Sequence, residues 1–99
     1  MPAESEAGLL EAIRELAHYT AWMSYHPYRS TRSERGWVDL VLARPFHPLW
    51  LLELQSAHGR VTPEQAQWLE VLSSCTGAPT ALWRPADWAT IARVWRTGT

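Results

Sequence analysis

The stretch WVDLVLARPFHPLWLLELQ, residues 37 to 55, decides how this chain folds. Two strand-like runs, WVDLVLA (37–43) and LWLLELQ (49–55), flank RPFHP, whose two prolines cannot donate to a sheet ladder and so mark a turn. The reading is a hairpin centred on Phe46. Asp39 lies seven residues before that centre and Glu53 seven after it, so the two acids are directly opposed, with Cβ atoms roughly 5 Å apart. Side chains alternate along a strand, which puts Gln55 on the same face, one pleat beyond Glu53. Like charges so opposed destabilise a sheet unless a cation lies between them, and no basic residue of either strand reaches that point. A divalent ion resolves the conflict: one Asp and one Glu, completed by water, form an oxygen set that Mg²⁺ or Mn²⁺ accepts, and such an ion activates water and neutralises a phosphate. The plainer alternative places both acids on the solvated face of an edge hairpin. A register shift of one residue would send them to opposite faces.

Outward from the hairpin, Leu9, Leu10, Ile13, Leu16 and Ala17 recur at three- and four-residue steps and predict an amphipathic helix over Ser5–Tyr19, with Glu4 and Glu6 at the favourable end of its dipole. AWMSYH (21–26) reads as a short strand, and HPYRSTRSERG (26–36) as an exposed polar loop. After the connector SAHGR, Thr62, Pro63 and Gln65 stand where a helix takes its cap, its first-turn proline and its capping-box partner. That helix turns Ala66, Trp68, Leu69 and Leu72 inward and ends at SSCTGAP, where Gly77 supplies a left-handed cap. A strand PTALWR (79–84) follows, and then a helix ADWATIARVW (86–95) burying Trp88, Ile91 and either Val94 or Trp95. The order α-β-β-β-α-β-α predicts an α/β fold, a mixed sheet flanked by helices.

The 99 residues, 46% apolar and without repeats, fit one domain over 1–99, burying roughly two thirds of the surface of its unfolded chain. Seven Trp supply large rigid core pieces, and the net charge of −1 offers no global attraction to a polyanion. All nine basic residues are Arg, a pattern that reads as GC-rich coding rather than as selection for guanidinium chemistry. The single cysteine, Cys75, forms no internal disulfide, no leader pattern precedes the first helix, and no apolar run is long enough to span a membrane. The expectation is a cytoplasmic protein.

Taken in series, GWVDLVL, LLELQ, GRVTPEQAQWLEVL and TALWRPADWATIARV resemble the VRR-NUC domain, a branch of the PD-(D/E)xK nuclease superfamily, over nearly the whole chain. The resemblance implies a restriction-endonuclease-like α-β-β-β-α-β core, here followed by a C-terminal helix. It also implies a Mg²⁺- or Mn²⁺-dependent endonuclease, acting as a homodimer on branched DNA such as four-way (Holliday) junctions, in a bacterial cell or a phage-infected host. By position, Asp39 and Glu53 match the metal-binding acids and Gln65 matches the helix glutamine that helps orient the site; Gln65 also completes a capping box with Thr62. Glu6 best matches the N-terminal acidic metal residue, with Glu11 as the other choice, and a solvated helix face explains either as well.

Two positions depart from the family pattern. Val38 replaces a usual Pro, with little consequence in a strand. Gln55 stands where the superfamily has its catalytic Lys; it can orient a water but has no charge with which to acidify it. The chain is then a natural active variant, a natural inactive DNA binder, or an engineered substrate trap, and the absence of lysine elsewhere favours a natural origin. Arg29, Arg32 and Arg35, beside Tyr28 and Trp37, and Arg60 and Arg84 beyond Glu53, are candidates to track phosphates. A solvated salt bridge is the ordinary role of any single one. His26 and His58 lack ligand spacing and read as supporting or DNA-contact groups. With no room for a separate recognition element, DNA shape would be preferred over sequence, and a symmetric dimer would set two sites against two strands.

Overall fold

A computed structural model describes residues 5–27, 34–75 and 77–98. Its elements are α1 (Glu6–Tyr19), β1 (Met23–Tyr25), β2 (Leu40–Ala43), β3 (Trp50–Leu54), α2 (Pro63–Ser73), β4 (Thr80–Trp83), a 3₁₀ turn (Pro85–Asp87) and α3 (Trp88–Thr97). The sheet order is β1-β2-β3-β4, antiparallel through β3 and parallel between β3 and β4. The α/β expectation therefore holds, as a mixed four-stranded sheet with helices packed on it. Among the described residues no helix is long and apolar enough to cross a membrane.

The hairpin register follows the turn. Leu40 pairs with Leu52, Val41 with Leu51 and Leu42 with Trp50, which extended by one residue puts Asp39 opposite Glu53. The strand is nevertheless shorter than the run 37–43: β2 starts at Leu40, and Asp39 sits just outside it. β3 lies between β2 and β4, so both of its edges are paired, and Leu51 through Gln55 are all buried, which leaves neither face to solvent. An edge hairpin with a solvated acidic face is thereby excluded. The parallel β3–β4 pairing needs a crossover, and α2 supplies it.

Helix ends follow local chemistry. The Ser5 hydroxyl accepts from Gly8 N–H at 3.0 Å, and Leu9, Ile13 and Ala17, four residues apart, form the buried stripe of α1. At α2 the expected capping box is complete: Thr62 Oγ1 accepts from Gln65 N–H (3.1 Å), and Gln65 Oε1 accepts from Thr62 N–H (2.8 Å). The inward face of α2 is weaker than its pattern. Ala66 is exposed, and Trp68, Leu69 and Leu72 are only partly covered, because α2 lies at the margin of the sheet. Its cap is Ser74 in a right-handed conformation, and Gly77 takes its left-handed turn (φ 82°) three residues later. In α3 both Val94 and Trp95 are buried with Ile91, while Trp88 is half-buried at the first turn. Trp95 meets two layers at once, donating to Ile13 O on α1 and packing on Trp83 of the sheet.

Indoles hold these layers together. Trp95 lies 5.7 Å from Trp22 and 5.2 Å from Trp83 between ring centres. Trp22 Nε1 donates to Trp95 O at 2.9 Å, and Trp95 Nε1 donates to Ile13 O at 3.3 Å. Each buried N–H thus has an acceptor, which allows a large amphipathic ring to serve as core.

Candidate active site

Glu53 is 0% exposed, and Gln55 two residues on is 6% exposed. A carboxylate in that position must be hydrogen-bonded, neutral or paired with a cation. One oxygen is satisfied: Gln65 Nε2 donates to Glu53 Oε1 at 2.8 Å. The other, Oε2, is buried with no hydrogen-bond donor. The Asp39 carboxylate lies within hydrogen-bonding reach, and two ionised carboxylates cannot satisfy one another. Burial above all, then the contact with Asp39 and the charges of Asp39 and Glu6, push the Glu53 carboxyl from 4.5 up to about 9, with Gln55 opposing the rise.

Asp39 is held from the opposite strand. Its N–H donates to Leu52 O at 3.0 Å, and its Oδ2 accepts from Leu54 N–H at 2.8 Å, so the side chain stands in where the ladder would otherwise lack an acceptor. His26 Nδ1 lies 2.6 Å from Asp39 O; a carbonyl only accepts, so that nitrogen carries the proton. Glu6, Ala7 and Leu10 of α1 join His26, Asp39 and Leu54 around a cleft of about 340 Å³. Burial and the Asp39 charge raise the Glu6 carboxyl above its usual range, against a lowering by His26. Glu6 rather than Glu11 faces the candidate site, and Glu53 lies beside this cleft without lining its wall.

The donor set suits a hard cation in its two central members: a buried oxygen without a donor faces a second carboxylate, and both ligands are oxygen. Glu6 is not drawn in as a third arm. Among the described residues no three His, Cys, Asp or Glu side chains are arranged to hold one ion. Gln55 is turned inward as well, its Nε2 3.4 Å from Gln65 Oε1 and its amide interacting with Glu53. It thus joins a chain of amides bracing the carboxylate, a role that the expectation of a water-orienting group did not include.

The arginines divide. Arg29 and Arg32, like Tyr28, lie outside the described residues. Arg35 and Arg60 are exposed. Arg84 Nη1 donates to Ser56 O and Gly59 O, each at 2.8 Å, so it fastens the connector after β3, contrary to the phosphate-tracking expectation. His58 is exposed, and Trp37 packs edge-on against Trp68 at 5.0 Å. Trp68 Nε1 in turn donates to Arg35 O at 3.1 Å, which ties the segment leading to Asp39 onto α2.

Gly36, which closes the polar loop and opens GWVDLVL, has a packing role that the sequence does not announce. Its φ is +85°, and a Cβ there would lie 2.5–2.7 Å from the backbone of Glu64 and Gln65. That close approach brings the Asp39 segment beside the helix start that delivers Gln65 to Glu53. Gly36→Ala should cost at least about 1 kcal/mol from backbone strain alone, more with the clash. Thermal melting would register the loss, and an unchanged Tm would mean that this approach is not needed.

No protein-family model, curated protein or solved structure matches this chain.

Proposed function

We propose that the protein is a Mg²⁺- or Mn²⁺-dependent endodeoxyribonuclease of the VRR-NUC type, with a restriction-endonuclease-like core, acting on branched DNA such as four-way junctions. The observation that carries this reading is the buried Glu53 with the half-buried Asp39 opposite it at the start of β2, and an unsatisfied Glu53 oxygen facing that second carboxylate. Asp39 and Glu53 would hold the cation, with Glu6 across the cleft, and when bound it would supply charge for the phosphate and a more acidic water. The protein's own part is orientation. Gln65 holds one Glu53 oxygen in place, Leu54 N–H holds Asp39, and Gln55 braces both amide and carboxylate. Arg35 and Arg60, with Arg29 and Arg32, are the candidate phosphate contacts; a homodimer working in the cytoplasm is part of the same proposal.

Gln55 favours a second reading, a DNA-binding homologue with impaired turnover. Its side chain occupies the lysine position and carries no charge. The separating experiment is incubation of a labelled four-way junction and a matched linear duplex with the protein in Mg²⁺ and in Mn²⁺, beside Glu53→Ala. Cleavage by the wild type, lost at least about a hundredfold in the variant, is the expected result. Binding without cleavage by the wild type selects the impaired homologue. Calorimetry on Asp39→Ala completes the test: Mn²⁺ heats unchanged from the wild type would remove the metal reading.

A further inference from the structure

The end of the sheet away from the carboxylates is made of different material. Here Met23 pairs with Ala43, Leu42 with Trp50 and Leu51 with Thr80, and the tip of the β2–β3 hairpin projects beyond them. The C-terminus of α3 joins the same end: Gly98 packs against His47, and its carbonyl accepts from Trp50 Nε1 at 3.4 Å. The segments that meet here, 18–25, 40–52, 77–83 and 91–98, contain no Asp or Glu but include Arg44, Arg93 and Arg96. The nearest acid along α1 is Glu15, about one turn back.

Apolar exposure is concentrated at this end too. Tyr19 (77%), Met23 (78%), Phe46 (105%) and Leu49 (42%) are open to solvent. Arg93 and Arg96, three residues apart on α3, share its exposed face. Phe46 stands at the apex with φ +66°, a left-handed conformation that a bulky side chain adopts only at a cost. The turn around it is locked: His47 N–H donates to Arg44 O (3.1 Å), His47 Nδ1 donates to Pro45 O (2.8 Å), and the Arg44 guanidinium lies 5.9 Å over Trp22 while donating to Trp95 O. A strained aromatic, fully presented on a braced turn, is a feature that folding alone does not require.

The geometry points to a second nucleic-acid contact at this end, in which Phe46 stacks on an unpaired base of a single strand while Arg93 and Arg96 take its phosphates. Aromatic faces combined with cations are what base and backbone require together. A second copy of this chain fits poorly, because a twofold interface would bring three arginines against three, and the segments that meet here hold no acid to receive them. The choice of nucleic acid among polyanions rests on the phosphodiester reading of the carboxylate site. The two places are on the order of 20 Å apart, seven strand residues from Phe46 to Glu53.

The test is fluorescence anisotropy of a labelled oligothymidylate of about 16 nucleotides, in EDTA so that cleavage plays no part. Phe46→Ala should weaken binding roughly tenfold. Arg93→Ala with Arg96→Ala should weaken it further and reduce the log-log salt slope by about 1.4, two phosphates' worth for a single strand. Phe46→Gly, which relieves the left-handed strain, should keep the wild-type Tm and still lose binding. Val71→Ala, at an exposed apolar position on α2, the helix packed on β4, should bind as the wild type does.

Unchanged affinity in the Phe46 and arginine variants overturns the proposal. So does equal loss with Val71→Ala, or a dimer in sedimentation that Phe46→Ala dissociates while oligonucleotide binding stays intact. Retention of these variants' sensitivity by anionic lipid vesicles but not by the oligonucleotide would also overturn it. If the wild type binds through Phe46 yet cuts no junction, this proposal stands and the nuclease reading falls; cutting with no Phe46-dependent binding gives the reverse.

Discussion

At about pH 8 and without divalent cations, Glu53→Gln should melt on the order of 10 °C above the wild-type protein, which corresponds to about 2 kcal/mol for a domain of this size. The Glu53 carboxyl is raised from 4.5 to about 9 on folding. Between those values the folded state binds a proton that the unfolded chain has released, so unfolding is favoured as pH rises. The stability that protonated Glu53 contributes is therefore complete below about pH 4.5 and is lost progressively as pH climbs toward 9, by up to about 1.4 kcal/mol per pH unit. Glutamine reproduces the protonated form without titrating. Its oxygen accepts from Gln65 Nε2 as Oε1 does, and its amide N–H₂ replaces the orphaned Oε2 with a donor facing Asp39. The wild-type Tm should fall through the alkaline side of the window while the Gln variant changes much less. Mn²⁺ should raise the Tm of the wild type and leave that of the variant nearly unmoved. Parallel pH profiles for the two proteins, measured by circular dichroism, would show that the buried carboxyl is not the group that titrates.

The parts of this arrangement that were legible in the sequence are those set by local chemistry. The two prolines of RPFHP mark where the chain reverses, and once that turn is centred on Phe46 the opposition of Asp39 and Glu53 follows by counting. Thr62, Pro63 and Gln65 announce a capped helix start, and the same glutamine that caps it reaches Glu53. What escaped was long-range. Nothing near Glu53 in sequence says that β4 will arrive in parallel on its far side, yet that pairing turns a plausible edge strand into a central one and takes the exposure of Glu53 to 0%. Arg84 reads as a surface cation until the connector at Ser56 and Gly59 is folded onto it. Ala66 matches an inward helical position, but a helix at the sheet margin covers less than its pattern would allow. The left-handed Phe46 is illegible in principle, since a bulky aromatic is among the residues least expected there.

Gln55→Lys should raise junction cleavage in Mg²⁺ by about a hundredfold or more, the scale on which one placed charged or proton-transferring group acts. Position 55 is 6% exposed and points among Glu53, Gln65 and the closely packed Gly59, so an ammonium placed there is largely desolvated and its field is felt strongly. Two effects have the same sign. The added charge would pull the Glu53 carboxyl back toward its ordinary range, keeping it ionised at neutral pH and ready to hold a cation. It would also make a nearby water more acidic, which the neutral amide cannot do. The space is the obstacle: the Gln55 carbonyl oxygen already lies where a Cβ on Gly59 would be 2.5 Å away, so the longer side chain must run toward Glu53 and not toward the connector. Gln55→Met, of similar length and no charge, separates charge from shape. A gain with Lys and none with Met assigns the effect to the ammonium. A protein that folds with Lys at this position, holds Mn²⁺, binds the junction and still fails to cut would show that the scaffold lacks more than its cation, and would leave DNA binding as the function of the site.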